Sequence, residues 1–202
     1  EIGLENSTFR NATGWPEENH AMSVRDLSTL ASRIASDFPQ YMHFFSTMTF
    51  EWEGITQNNR NPLLYLDIGA DGMKTGHTEA AGYGLTATVE RDGRRVVVVV
   101  AGMESARARA VEAEKLVEWA YREFRTGALY KAGEPVAEAE LWIGAKGRVG
   151  LAPARDVVAT VPFAERDGVT ARVEYDAPIA APVEAGQELA RLVVEAPGLE
   201  PV

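Results

Sequence analysis

Five consecutive valines at positions 96–100 constrain the fold of this chain more than any other feature of its sequence. Valine is β-branched and favours strands. A strand with one solvent-facing side alternates apolar and polar residues, so the unbroken run predicts a strand that is covered on both faces. The turn signal Asp92-Gly93 joins the run to a second β-type stretch, residues 85–90. The two stretches are therefore predicted to form a β-hairpin.

One helix is predicted before this hairpin in the sequence and one after it. The first begins after Ser23, an N-cap residue type, and Asp26 occupies the capping-box position. Its apolar stripe consists of Leu27, Leu30 and Ile34. The second helix covers residues 106–124, where apolar residues recur every three or four positions.

The composition changes after Phe124, where Gly127 and Gly133-Glu134-Pro135 indicate a linker. Four short β-type runs follow, and regular runs of this kind indicate a small all-β module. They cover residues 136–143, 157–161, 169–175 and 189–194. We therefore predict an α/β domain over residues 1–126 and a β-rich domain over residues 127–202.

Composition excludes several classes of function. The formal net charge of −10 argues against sequence-independent nucleic-acid binding, which needs a basic surface. Because the chain has no cysteine, disulfides, thiolate catalysis and zinc–thiolate sites are excluded. The histidines lack the i, i+4 spacing of a helical metal site, so no metal site is predicted. The longest apolar stretch, residues 96–102, is far shorter than the ~20 residues of a membrane span.

The run Asp71-Gly72-Met73-Lys74-Thr75-Gly76-His77-Thr78 carries the strongest chemical signal. Lys74 offers a positive charge, and the Thr75 hydroxyl can donate to an anionic oxygen. Gly76 has no side chain, so an extended ligand can lie directly against the backbone. Lys-Thr-Gly is also a signature of penicillin-binding proteins and class A β-lactamases, in which Ser-x-x-Lys supplies the nucleophile.

The surrounding sequence makes that resemblance specific. Residues 54–65, the motif at residues 71–78 and Ala81-Gly82-Tyr83 form one ordered series. Further matches are the segment Ser7-Thr8-Phe9-Arg10-Asn11 and the stretch Ala177-Pro178-Ile179. The chain resembles the low-molecular-mass penicillin-binding proteins of the serine D-alanyl-D-alanine carboxypeptidase type (peptidase S11). This resemblance implies an α/β fold, part of a penicillin-binding/β-lactamase-like transpeptidase domain with an antiparallel sheet and helices, followed by a small all-β domain.

The resemblance also implies an activity. Such an enzyme removes the terminal D-alanine from a peptidoglycan stem peptide through a serine acyl-enzyme, and β-lactam antibiotics acylate it. It uses no metal and no cofactor. The resemblance further implies a periplasmic location at the inner membrane, through a C-terminal anchor that is not seen in this chain.

Four site residues are implied on the Lys-Thr-Gly strand. Lys74 is expected to be catalytic, facing the nucleophile and polarising proton transfer. Thr75 is expected to bind the carboxylate of the terminal D-alanine. Gly76 and His77 are expected to line the bound peptide, with the His77 backbone N–H in the oxyanion hole. The alternative for the His77 side chain is a solvated residue at a strand end.

Two arginines complete the implied site. Arg60 and Arg109 match positions near the carboxylate pocket, and a guanidinium can hold a carboxylate with two hydrogen bonds. The alternative is ordinary surface charge, because Arg60 lies in a polar loop and Arg109 in the charged start of a helix.

The nucleophile that the resemblance requires is missing from this sequence. The serines at positions 23, 28, 32 and 36 have no lysine three residues later, and the chain has no Ser-x-Asn. We therefore expect the C-terminal portion of such an enzyme, inactive by itself and completed by a companion N-terminal segment. The valine strand supports this independently, since it would otherwise be an exposed apolar edge, which soluble proteins avoid.

Other functions stay open at this point. A DD-endopeptidase or a β-lactamase of the same superfamily would use the same chemistry, although a trailing β domain disfavours a β-lactamase. A non-catalytic cell-wall binding module could keep the Lys-Thr-Gly strand without any nucleophile.

Overall fold

The structure is a computed structural model that describes residues 2–197. The chain forms two compact units, which meet in sequence between Ala120 and Tyr121. The boundary expected from composition, between residues 126 and 127, lies further along the chain.

The first unit contains a three-stranded antiparallel sheet in the order β5–β6–β7. Its elements are β1 (Ser7–Thr8), β2 (Ala21–Met22), α1 (Val24–Asp37), α2 (Met42–Ser46), β3 (Thr49–Trp52), β4 (Ile55–Asn58), β5 (Ala70–Thr78), β6 (Gly82–Arg91), β7 (Arg94–Met103) and α3 (Ala106–Glu123). Short 3₁₀ turns cover Pro39–Tyr41 and Pro62–Tyr65. The strands β1 and β2 pair with each other, as do β3 and β4.

The predicted hairpin is confirmed as β6 and β7, joined by Asp92-Gly93. Both turn residues have positive φ, 50° and 75°, the conformation for which Asp-Gly is suited. The centre of β6 is the best-buried part of the sheet, since Leu85 is 2% exposed and Val89 is fully buried.

The valine run lies on β7, which is an edge strand of the sheet formed by residues 2–197. Val98 and Val100 are buried and the other three valines are half-buried, so the run has no exposed valine. Helix α1 packs on β6 and β7, and α2 packs on β5. Helix α3 begins after the end of β7, and its C-terminal part reaches the turn end of the hairpin, where Arg91 pairs with Glu118. The packing therefore covers the valines, although β7 has a strand neighbour on one side only among these residues.

Helix α1 begins as predicted, with Ser23 Oγ accepting a hydrogen bond from the Asp26 N–H at 3.1 Å. The Asp26 carboxylate does not complete the expected capping box. It is buried, and it accepts instead from the Asn6 N–H at 2.9 Å and from Ser7 Oγ at 2.5 Å. The carboxylate therefore ties the N-terminal segment to α1, because one donor from β1 and one from the residue before it reach the carboxylate.

Over residues 121–197, the second unit is all β apart from the end of α3 and a 3₁₀ turn at Phe163–Gly168. Its strands are β8 (Phe124–Tyr130), β9 (Ala137–Trp142), β10 (Arg148–Leu151), β11 (Val157–Pro162), β12 (Thr170–Glu174), β13 (Ile179–Ala180) and β14 (Arg191–Glu195). They form a β10–β9–β13 sheet and the pairs β8–β11 and β12–β14. Ala139, Leu151 and Ile179 form its buried cluster.

The four predicted strands of this unit correspond to β9, β11, β12 and β14. The linker expected after Phe124 is wrong over its first part, because residues 124–130 form strand β8. This strand pairs with β11, and Thr126 lies opposite Thr160. Within residues 2–197, no helix is long and apolar enough to span a membrane.

Candidate active site

All six residues expected at the site line one open depression of the first unit. They are joined there by three residues outside the predicted set. The lining consists of Gly14, Arg60, Lys74, Thr75, Gly76, His77, Thr78, Tyr83 and Arg109. The fold therefore brings Arg60, strand β5 and Arg109 together in space, although they are far apart in sequence.

Strand β5 supplies one wall of the depression and is an edge strand of its sheet. Thr75 is buried, whereas Lys74, Gly76 and His77 are exposed. A Cβ placed on Gly76 would meet no heavy atom within 4 Å, so the backbone here is open to a ligand. The Lys74 Nζ donates to the Thr75 carbonyl at 2.5 Å, which keeps the ammonium close to its own strand.

Arg109 is the most unusual side chain of the depression. It lies on α3, whose start is fixed by Ser105 Oγ accepting from the Ala108 N–H at 3.0 Å. Arg109 is only 9% exposed, and its buried Nε has no hydrogen-bond partner among residues 2–197. Burial lowers the pKa of the Arg109 guanidinium, and nearby Tyr83 opposes that change. A buried cation with an unused donor is suited to receiving an anionic group.

Arg60 is exposed, but hydrogen bonds fix the backbone on either side of it. Asn59 Nδ2 donates to the Phe45 and Thr47 carbonyls, both at 3.0 Å. Asn59 Oδ1 accepts from the Asn61 N–H, also at 3.0 Å. The two asparagines on either side of Arg60 are therefore linked to each other and to helix α2.

Asn61 connects this loop to the Lys-Thr-Gly strand. Its side chain is buried, at 1% exposure. Nδ2 donates to the Gly72 carbonyl on β5 at 2.7 Å, and Oδ1 accepts from the Leu63 N–H at 3.1 Å. Sequence reasoning missed this role, although Asn before Pro62 is a recognised turn signal.

The start of β5 is held by a second polar group. Asp71 is the extra residue of a bulge between Ala70 and Gly72. Its carboxylate accepts from Thr88 Oγ1 at 2.6 Å and from the Arg95 guanidinium at 2.7 and 2.8 Å. Arg95 also pairs with Glu90. These contacts fix β5 to both other strands of the sheet.

Tyr83 is the chief residue that the sequence analysis left out of the site. It lies directly opposite His77 in the β5–β6 pair, and the two rings stack with centroids 3.9 Å apart. The Arg109 guanidinium carbon lies 5.8 Å from the centre of the Tyr83 ring. The short turn between β5 and β6 sets the cross-strand register, so the sequence could have predicted that Tyr83 lies opposite His77.

The charges of the depression favour an anionic ligand. Arg60, Lys74 and Arg109 converge on it, together with the Thr75 hydroxyl. Within residues 2–197, no strand pairs with the outer edge of β5, so an extended peptide can add there as a further strand. A short peptide with a free carboxylate combines both requirements.

Two family models match this chain. The family model described as D-alanyl-D-alanine carboxypeptidase matches residues 1–105. The model described as Penicillin-binding protein 5, C-terminal domain, matches residues 124–198.

Individual relatives match along almost all of the chain. D-alanyl-D-alanine carboxypeptidase DacA of Haemophilus influenzae is 34% identical over 98% of this chain and 51% of the relative. DacD of Salmonella typhimurium is 33% identical over 92% of this chain and 49% of the relative. The chain therefore spans about half the length of the curated relatives that it matches.

Solved structures are similar as well. Penicillin binding protein 5 from Haemophilus influenzae superposes with a TM-score of 0.89 at 33% identity, over 100% of this chain and 59% of that one. Penicillin-binding protein D2 from Listeria monocytogenes, in an ampicillin-bound form, gives a TM-score of 0.54 at 33% identity, over 58% of this chain and 50% of that one.

Proposed function

Because this chain belongs to the D-alanyl-D-alanine carboxypeptidase family, we propose that it supplies the substrate-binding strand of an enzyme that removes the terminal D-alanine from peptidoglycan stem peptides. One observation carries the proposal. Arg60, Lys74, Thr75 and Arg109 line a single depression along the exposed edge of β5. That arrangement fits the free carboxylate and the extended backbone of such a peptide.

In this proposal the substrate carboxylate lies between Thr75, Arg60 and Arg109. The buried, unpartnered Nε of Arg109 supports this placement, since an anionic group would satisfy it. The exposed Arg60 adds a second cation whose flanking residues are fixed by hydrogen bonds. The peptide backbone then adds to β5 opposite the open Gly76 position.

Lys74 and the His77 backbone would act on the reacting carbonyl. The His77 N–H is proposed as one donor of the oxyanion hole, which needs donors fixed before the reaction. The Lys74 ammonium is proposed to polarise proton transfer at a serine hydroxyl. The serine oxygen attacks the carbonyl carbon, the amide bond to D-alanine breaks with a proton passing to its nitrogen, and water then hydrolyses the ester.

We place that serine on a companion segment of the same enzyme. The chain has no Ser-x-x-Lys and no Ser-x-Asn, so its own residues offer no activated nucleophile of this kind. The edge strand β7, with its valine run, offers a surface on which further strands of the companion can pair. Taken by itself, the chain is expected to be inactive. We propose the periplasm as the location of the enzyme, because a peptidoglycan substrate lies outside the inner membrane.

Labelling with a fluorescent penicillin tests this function. The native protein is incubated with the penicillin, then denatured, and the labelled polypeptides are separated and weighed by mass spectrometry. Label on a companion polypeptide or segment, with D-alanine release from a pentapeptide, is the expected result. Label on this chain itself would overturn the assignment of the nucleophile. No label anywhere would favour a non-catalytic cell-wall binding module.

A further inference from the structure

The buried side chain of Arg109 has no polar partner that could fix its orientation. Among residues 2–197, its guanidinium makes no hydrogen bond and no ion pair. Arg95 of the same unit differs, because the carboxylates of Asp71 and Glu90 hold its guanidinium. Arg109 therefore needs a contact of another kind to point its cation towards the carboxylate ligand proposed for it.

The ring of Tyr83 makes such a contact. The Arg109 guanidinium carbon lies 5.8 Å from the ring centre, within the ~6 Å at which a cation is attracted to an aromatic face. The same ring stacks on His77 of β5, with the two centroids 3.9 Å apart and the ring planes at 27°. The Tyr83 hydroxyl makes no hydrogen bond within residues 2–197, so the ring makes the link between Arg109 and His77.

The strand that carries Tyr83 is held in place by close packing. A Cβ at Gly82 would lie 2.9 Å from the Met103 carbonyl oxygen, so the backbone just before Tyr83 lies directly against the end of β7. Leu85, two residues after Tyr83 and on the same face of β6, is 2% exposed. The sheet itself therefore sets the position of the ring.

We propose that Tyr83 is a positioning residue of the reaction, whose ring holds the Arg109 guanidinium in the orientation that binds the substrate carboxylate. Tyr83 acts through Arg109 and takes no part in the chemical step. This inference rests on the proposed function, because that function supplies the carboxylate. Since the ring carries the role and the hydroxyl does not, phenylalanine should replace Tyr83 and leucine should not.

The test compares two pentapeptides that end in D-alanyl-D-alanine, one with a free C-terminal carboxylate and one with a C-terminal amide. The kcat/KM for release of D-alanine or of D-alaninamide is measured with the intact enzyme, this chain together with its nucleophile-bearing segment. The ratio of the two values measures recognition of the carboxylate. Tyr83→Leu should lower this ratio about three- to thirty-fold, as expected for the loss of a cation–π contact, mainly through a higher KM for the carboxylate peptide.

Further variants separate the ring from general packing. Tyr83→Phe keeps the ring and should retain the wild-type ratio. In an Arg109→Gln background, Tyr83→Leu should change the ratio by less than about two-fold, because the residue through which it acts is gone. Tyr41→Leu is the matched control and should leave the ratio unchanged, since Tyr41 also stacks on aromatic rings but lies outside the depression. A loss of folded enzyme lowers both kcat/KM values alike and does not change the ratio.

The outcomes distinguish the inference from the function beneath it. A ratio that Tyr83→Leu leaves unchanged, or that Tyr83→Phe lowers as far as Tyr83→Leu does, overturns the positioning role of the ring alone. If the wild-type enzyme cleaves neither peptide, the proposed function fails and the inference fails with it. A ratio that falls in Tyr83→Leu, is retained in Tyr83→Phe and no longer responds when Arg109 is replaced supports both.

Discussion

Replacing Asn61 with alanine should destabilise the connection between the Arg60 loop and the Lys-Thr-Gly strand. The substitution deletes two hydrogen bonds at once, from Nδ2 to the Gly72 carbonyl and from the Leu63 N–H to Oδ1. The side chain and Leu63 are almost completely buried, and Gly72 is buried too. Two buried backbone groups therefore lose their partners together.

The expected cost follows from those two groups. A buried donor or acceptor left without a partner costs about 1–3 kcal/mol. The space vacated by the amide can admit a water molecule that partly replaces both bonds, so the total should fall near the lower end, at about 2–4 kcal/mol. At about 1.4 kcal/mol per factor of ten, this corresponds to a roughly 30- to 1000-fold rise in the opening equilibrium.

Amide hydrogen exchange measures this effect locally. The Leu63 amide and the amides of β5 should exchange faster in Asn61→Ala by about that factor. Asn58→Ala is the matched control, since Asn58 is exposed and its side chain makes no hydrogen bond with the rest of the described chain. Asn61→Asp keeps an acceptor for Leu63 but turns a carboxylate oxygen towards the Gly72 carbonyl, so it should be at least as destabilised. Equal exchange in Asn61→Ala and Asn58→Ala would refute the reasoning.

Three further outcomes are expected. Leu85→Ala, at 2% exposure in the central strand, should lower the free energy of unfolding of the first unit by about 2–5 kcal/mol in urea titrations, and a change below about 0.5 kcal/mol would contradict the burial argument. Ser23→Ala removes the N-cap acceptor of α1 and should cost about 1 kcal/mol in the same titration. Hydrogen bonds from Arg33 and Ser36 lower the pKa of Asp37. Arg33→Gln should raise the pKa of Asp37 towards 3.8 in an NMR titration. In the wild type, the stabilisation from the Arg33–Asp37 pair is present above the ordinary carboxyl pKa and is lost as the pH falls through the lowered pKa of Asp37.

The sequence predicted the elements whose signals are local. Asp92-Gly93 defines its hairpin because two adjacent residues hold the required positive φ, and Ser23 defines a helix start because its hydroxyl acts within one turn. Strand β8 has no such signal. Its glycine and threonine residues are typical of a linker, and only pairing with β11, about thirty residues away, makes it a strand.

The residues of the candidate site also differ in whether a local sequence signal identifies them. The strand residues Lys74 to His77 were found because they are consecutive. Arg60 and Arg109 were found only through the family resemblance, since no periodic pattern links residues so far apart. The capping-box prediction for Asp26 is wrong because the donors to its carboxylate, Asn6 and Ser7, lie about twenty residues away in sequence, beyond the reach of a local capping pattern.

The bulge at Asp71 affects how the start of β5 tolerates the deletion of a residue. Side chains alternate between the two faces of a strand, and one extra residue shifts that alternation by one step. Beyond the bulge, pairing with β6 is regular, with Thr75 turned inward and Lys74 and Gly76 open to solvent. A descendant that lost Asp71 would keep this regular pairing of Lys-Thr-Gly, but the residues up to Ala70 would shift by one step relative to the motif. The motif's faces therefore depend on its pairing with β6, and its connection to the preceding loop depends on the spacing at Asp71.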